Sequence, residues 1–233
     1  VAEPSMNWPQ SDQTEQLMDG AKAGDAAAAG ELLERHRQAL RRMVELRLDR
    51  KVRRRVDISD VVQEVMAEAS HRLDRYLSDP PMAFHLWLRH IARDRIIDTY
   101  RRHRGSAKRT IDREQAMSAA RRPDESSLEF AAQLCDPQLT PATAATHREL
   151  ARKVEAAIER LSETDREMIL MRHYEHLSNA EIADALGVNA PAASMRYLRA
   201  VKRLRALLDE DGLGESGGHR SVDRSDSSGE YSE

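Results

Sequence analysis

SNAEIADALGVNAPAASMRYLRAVKRLR, residues 178–205, carries two helix starts and one turn within 28 residues. Ser178 followed three residues later by Glu181 has the spacing of a capping box, in which each side chain satisfies a backbone N–H that the first helical turn leaves open. Ile182, Ala183 and Leu186 give the short helix that follows its apolar side. Leu186-Gly187-Val188 reads as a tight turn, with Gly187 where a positive φ is needed. Asn189 then caps a longer helix, and Pro191 falls in its first turn, where a missing N–H costs little. A short capped helix, a three-residue turn and a longer basic helix are the grammar of a helix-turn-helix. On the second helix Asn189, Ser194, Arg196, Arg199, Lys202 and Arg203 occupy polar positions, while Met195, Leu198, Val201, Leu204 and Leu208 are expected to face the core. In a major groove the early residues of such a helix meet base edges and the later cations meet phosphates. The competing reading is a plain helical hairpin with a charged outer face.

Helical signals extend upstream. Thr146–Arg160 reads as one helix, and Ser162 caps another that carries Met168, Ile169 and Met171. Residues 105–145 contain Gly, Ser, Pro and scattered charge, with short helical pieces around Arg113–Arg121 and Leu128–Leu134, and read as a linker with little core of its own. Before it, a helix is expected from about Met82 to His103, buried through Phe84, Trp87, Leu88, Ile91, Ile96, Ile97 and Tyr100. A second starts at the N-cap Asp57, carries an apolar stripe from Ile58 to Leu77, and ends at Ser78-Asp79-Pro80-Pro81, because proline cannot continue the hydrogen-bond ladder. A third runs from Asp25 to Leu48, and a shorter one starts near Asp12. The expected fold is all-α: two small helical domains, residues 12–104 and 146–208, joined by a flexible linker, the C-terminal one a helix-turn-helix. Residues 1–11 and the acidic tail 209–233 are expected to be disordered.

The 233 residues are rich in Leu, Ala, Arg and Glu, and aromatics make up only 4%. Net charge is −3, but its distribution is uneven. Residues 41–55 hold eight Arg/Lys against two acids, residues 89–109 eight against two, and residues 196–205 five against none. Three basic stripes on a near-neutral chain are the footprint of a phosphate-backbone partner, against the alternative of solvated helix faces. Cys135 is the single cysteine, so no disulfide forms within the chain, which fits a reducing cytosol. No apolar run approaches the length of a membrane span, and the start lacks the basic-then-apolar order of a signal peptide. A cytoplasmic protein without membrane insertion is the expectation.

Residues 161–205 resemble the C-terminal domain of sigma-70 family factors of the extracytoplasmic-function subgroup. DISDVVQEV (57–65) and FHLWLRHIARDRIIDTYRRHR (84–104) resemble that subgroup's N-terminal domain, and order, spacing and linker agree. The resemblance implies a sigma factor that binds core RNA polymerase and promoter DNA and directs promoter recognition, melting and initiation at a subset of genes. It needs no cofactor, catalyses nothing itself and admits an anti-sigma protein as a partner. By the same resemblance Asp57, Asp60, Gln63 and Glu64 form the polar face that docks on a coiled coil of polymerase. Carboxylates and an amide on one side of a capped helix suit an Arg-rich partner, or merely solvate that side. Arg89, Arg93, Arg95, Arg101, Arg102 and Arg104 would grip phosphates around the −10 element, with Tyr100 the better candidate for base stacking and Trp87 a core residue. The helix from Asn189 would read the −35 element. Asp94 stands where the family often has Asn. Ser194 and Met195 stand where it often has Lys and Ser.

Two other readings remain open. A two-domain helix-turn-helix regulator explains 178–205 equally well but not 57–65 and 84–104. A helical-bundle metalloenzyme has a starting point in the Glu-x-x-His spacing of Glu68 and His71, and another in His173 and His176. Neither has further ligands that can be placed.

Overall fold

The computed structural model describes residues 8–9, 11–48, 50–53, 55–107, 125–134 and 144–210, and among these there is no strand. The helices in chain order are α1 (Ser11–Lys22), α2 (Ala26–Arg47), α3 (Arg50–Arg53), α4 (Ile58–Ser78), α5 (Phe84–Ala107), α6 (Glu125–Leu134), α7 (Ala144–Arg160), α8 (Glu163–Ile169), α9 (Asn179–Leu186) and α10 (Ala190–Glu210). A π turn over Leu170–Tyr174 continues α8.

The caps do what their residue types predict. Asp25 accepts from the N–H groups of Ala27 and Ala28 at the head of α2. Asp57 accepts from Ser59 N–H at 2.8 Å at the head of α4. Ser162 accepts from Asp165 N–H, and Ser178 and Glu181 complete their reciprocal capping box. Each such cap is worth about 1 kcal/mol. Gly20 lets α1 lie close on α2: a Cβ there would stand 2.9 Å from the Ala28 Cβ.

Two cores result. The N-terminal one packs Leu32, Leu40, Met43 and Val44 of α2 against Val61, Val62, Val65 and Ala69 of α4 and Phe84, Leu88, Ile91 and Ile96 of α5. Trp87 stacks on Tyr76 with ring centroids 4.5 Å apart, inside this aromatic end of the core. The C-terminal core gathers Ala151, Val154 and Ile158 of α7, Met168 and Ile169 of α8, Ile182 of α9, and Ala193, Ala200, Leu204 and Leu208 of α10.

Three expectations need correcting. Met195 and Leu198 do not face the core; they are 56% and 58% exposed. Ala193 and Ala200 take the inward positions instead, in line with Leu204 and Leu208. Within the linker span, α6 packs on α7 and the π turn, burying Phe130 and Ala131. Phe130 stacks on His173 at 3.7 Å, and the Ser127 hydroxyl donates to Glu155 at 2.6 Å. Finally, Trp8 belongs to the span expected to be disordered, yet it packs partly buried against both cores, 6.2 Å from the His36 ring and 5.7 Å from the His85 ring. The helical piece expected at Arg113–Arg121, Cys135 and the tail beyond Glu210 lie outside the described residues.

Candidate DNA and polymerase interfaces

The face proposed for polymerase stands open on α4. Asp57, Asp60 and Gln63 are exposed, one turn apart, and Glu64 is half-buried beside them. Glu64 also accepts from Arg102 of α5, Nη2 to Oε2 at 2.9 Å. The polar edge of α4 and the basic edge of α5 therefore adjoin. An exposed pair of this kind is worth at most about 1 kcal/mol, so a phosphate or a partner residue competes for either member.

The cations of α5 divide into two groups. Arg93, Arg101 and Arg102 are exposed. Arg101 lies 3.7 Å from Asp98, and Arg104 belongs to the last turn of the helix. Arg95 is half-buried and bonds Glu68 at 3.1 Å, so the Glu of the Glu-x-x-His spacing is engaged by an arginine. Tyr100 donates its hydroxyl to the Arg47 carbonyl at 2.8 Å, which tethers the ring to the end of α2. Arg89 is the exception among the expected phosphate ligands. It has no exposed side-chain surface and is held by two carboxylates of the other domain.

On α10, Asn189 spends its side chain on the cap, accepting from Ala192 N–H at 2.9 Å. The Ser194 hydroxyl donates to Asn179 of α9 at 3.1 Å, pinning the two helices of the motif together. Gly187 adopts φ 62° and ψ 37°, the left-handed turn expected of it. The outward stripe of α10 is Pro191, Met195, Leu198, Arg199 and Lys202, all exposed. Arg196 is half-buried at its edge. Arg203 pairs with Asp165, whose carboxyl burial would raise but which Ser162 and Arg203 hold below the usual range.

The domains meet through Leu86 of α5, buried in the C-terminal core, and through charge. Arg47 of α2 and Arg89 of α5 face Glu167 of α8 and Glu175 just after the π turn. Arg47 Nε stands 3.0 Å from Glu167 Oε2 and Arg89 Nε 3.0 Å from Glu175 Oε2. The arginines also bond crosswise, Arg47 to Glu175 and Arg89 to Glu167. Burial alone would raise the Glu167 carboxyl, but the two guanidinium charges outweigh it and hold the pKa at about 2. The same carboxylates raise Arg47 above its ordinary value against its burial. The π turn makes this possible. Its extra residue closes Glu175 N–H on Leu170 O at 2.9 Å, rotating Glu175 inward where a regular helix would not carry it. Arg166 reaches the Leu46 carbonyl at 2.9 Å, and His85 bonds Glu181 at 2.9 Å. Around these pairs apolar packing is incomplete, and a cavity of about 720 Å³ reaches from Trp8 and His36 to Glu175 and Glu181. Sequence reasoning missed Arg47, Glu167, Glu175 and Glu181 as a group. Each reads as an ordinary charged helix residue, and only the fold brings them together.

Comparison with known proteins supplies the frame. A family model described as Sigma-70 region 2 matches residues 32–106, and one described as Sigma-70, region 4 matches residues 140–204. The chain is 31% identical over 192 residues to RNA polymerase sigma factor CnrH of Cupriavidus metallidurans, covering 82% of this chain and 92% of that one. It is 29% identical over 203 residues to RNA polymerase sigma factor NccH of Alcaligenes xylosoxydans xylosoxydans, covering 83% and 94%. A solved structure of CnrH in complex with the cytosolic domain of CnrY superposes with a TM-score of 0.54 at 28% identity, over 86% of this chain and 99% of that one.

Proposed function

The chain belongs to the sigma-70 family of RNA polymerase sigma factors, of the extracytoplasmic-function type, and from that premise we propose how its surfaces divide the work. As a sigma factor it binds core RNA polymerase and directs initiation at promoters. The region 2 domain, residues 12–104, docks on polymerase through Asp57, Asp60, Gln63 and Glu64. It grips the −10 element with Arg93, Arg95, Arg101, Arg102 and Arg104, and with Arg89 once that side chain is released. The region 4 domain, residues 146–208, lays the outward stripe of α10 in the major groove of the −35 element. Cations on the DNA-facing side supply affinity, and the early residues of α10 supply choice. The protein catalyses nothing itself and works in the cytoplasm; among the described residues no helix is long and apolar enough to cross a membrane. The relative CnrH is held by a cytosolic domain of CnrY, and an anti-sigma protein is the corresponding regulator here.

The observation that carries this reading is the presence of both domains in family order, with the outward face of α10 open to solvent. The −10 and −35 elements lie about 25 base pairs apart, roughly 85 Å of duplex at 3.4 Å per pair. Domains in contact through ion pairs of 3.0 Å do not span that distance. The arrangement is a closed one, and the domains part before both elements are read. Run-off transcription with purified core polymerase and genomic promoter fragments tests the proposal. Specific transcripts dependent on this chain are expected, and failure to bind core polymerase at all would overturn it.

A further inference from the structure

We infer that Met195 and Leu198 are specificity-determining residues that read the C5-methyl groups of thymines in two neighbouring base pairs of the −35 element. The inference rests on α10 being the −35 reader.

Met195 and Leu198 are the two exposed large apolar side chains among the described residues, at 56% and 58%. They lie three positions apart on one face of one helix, opposite the buried line of Ala193, Ala200 and Leu204. The same face carries the exposed cations Arg199 and Lys202. The cations mark the occupant as an anionic surface, and the helix-turn-helix geometry aims this face at a major groove. The large apolar group that a major groove offers is the thymine methyl. A thioether and an isobutyl group also discriminate negatively. Neither can pair with guanine N7 and O6, adenine N6 or cytosine N4, so those edges would lose water without gaining a partner. Methionine's three rotatable bonds let it settle against whichever strand bears the methyl. Three residues of helix advance about 4.5 Å, between one and two base-pair steps of about 3.4 Å. The two methyls therefore belong to adjacent pairs.

Holoenzyme is used to select from a promoter library randomised across the −35 segment. Two adjacent A·T pairs, with thymine on either strand, are expected to be enriched. Replacing each selected thymine by deoxyuridine removes one methyl and leaves pairing intact; a loss of about fourfold in affinity per site is expected from the burial of one methyl-sized group. Met195→Ser and Leu198→Ser should each abolish one of these two responses and the corresponding enrichment. Both positions are exposed, so the thermal melt of each variant serves as a check on folding. Indifference of the wild-type holoenzyme to deoxyuridine overturns the inference, as does unchanged thymine preference in both variants. The parallel variant Lys202→Ala separates the two levels. If it weakens binding while deoxyuridine is silent, only the methyl reading fails. If it too leaves binding of the −35 duplex unchanged, α10 is not the reader. Should the serine variants lose affinity only for an anti-sigma domain and keep promoter choice, the patch is a protein contact and the inference is overturned.

Discussion

Arg89 of α5 and Glu175 beyond the π turn, 86 residues apart in the chain, meet at 3.0 Å with neither side chain exposed. A residue proposed for the −10 surface is thus committed to the domain proposed to read −35. Removing Glu175 leaves two buried arginines sharing the one carboxylate of Glu167, and breaking a buried pair typically costs about 3–5 kcal/mol. The cheapest relief at a junction is for the domains to separate and rehydrate the arginine. Glu175→Gln is therefore expected to open the free protein, raising its radius of gyration in small-angle scattering. Exchanging all four members, Arg47→Glu and Arg89→Glu with Glu167→Arg and Glu175→Arg, keeps every contact between opposite charges and should partly restore closure. An unchanged scattering profile for Glu175→Gln would show that the quartet does not hold the domains.

Charge reversal at Asp60 and Glu64 tests the polymerase face. Both lie on the outer side of α4 and neither supports the core. Asp60→Arg with Glu64→Arg should weaken core binding at least tenfold while the helical circular dichroism is retained. Affinity for core polymerase equal to the wild type would remove the docking assignment.

Arg196 and Lys202 are expected to separate reading from gripping. Arg196 lies within two turns of the start of α10 and Lys202 nearly two turns further on. Arg196→Ala is expected to cost about 1–3 kcal/mol at the preferred promoter and to relax choice at one or two −35 positions. Lys202→Ala should weaken all sequences alike and lower the salt slope by about one. The assay is holoenzyme binding across a panel of altered promoters. The same uniform loss for both would make Arg196 a phosphate contact.

Acid should loosen the molecule in two stages. Burial holds His36 down at about 4, against the Leu32 carbonyl that accepts from its Nδ1, with His85 and Arg35 adding repulsion. His173, stacked on Phe130, is also held at about 4, by burial first. An unfolded histidine takes its proton near 6.5, so the stability each contributes is complete above that pH and is lost as pH falls towards 4. Glu167 is depressed to about 2. Its contribution is complete above about 4.5 and is lost between there and 2. The melting temperature should therefore begin to fall below pH 6.5, and His36→Gln should remove part of that first decline, about 1–3 kcal/mol. A pH profile for His36→Gln superimposable on the wild type would rule out this histidine as a source.

Most helices were legible in the sequence because their ends carry local chemistry. Asp25, Asp57, Ser162, Ser178 and Asn189 each cap within their own turn, and no distant contact is needed to see it. What was not legible follows from neighbours in space. Ala193 and Ala200 look neutral in sequence, while Met195 and Leu198 look like core. Only the orientation of α10 against its partners reverses the two. Leu86 and Arg89 break the apolar stripe of α5 because that helix buries two sides, one in each domain. Of the expected site residues, the exposed ones stand where periodicity put them. Arg89 and Tyr100 differ because residues more than fifty positions away claim them.

The chemical character of the junction has a consequence for timing. Two apolar surfaces resist separation because water gains nothing from touching them. Four ions behave otherwise: each recovers its hydration shell on leaving, and this recovery nearly matches the attraction that is given up. By this argument the quartet is demanding in geometry and shallow in depth. A closed fraction of ninety-nine in a hundred would raise the apparent dissociation constant for promoter or polymerase about a hundredfold. Any ligand that favours the parted form by a few kcal/mol removes that factor. A free chain closed to that extent would be kept quiet by an equilibrium that a partner favouring the parted form reverses on contact.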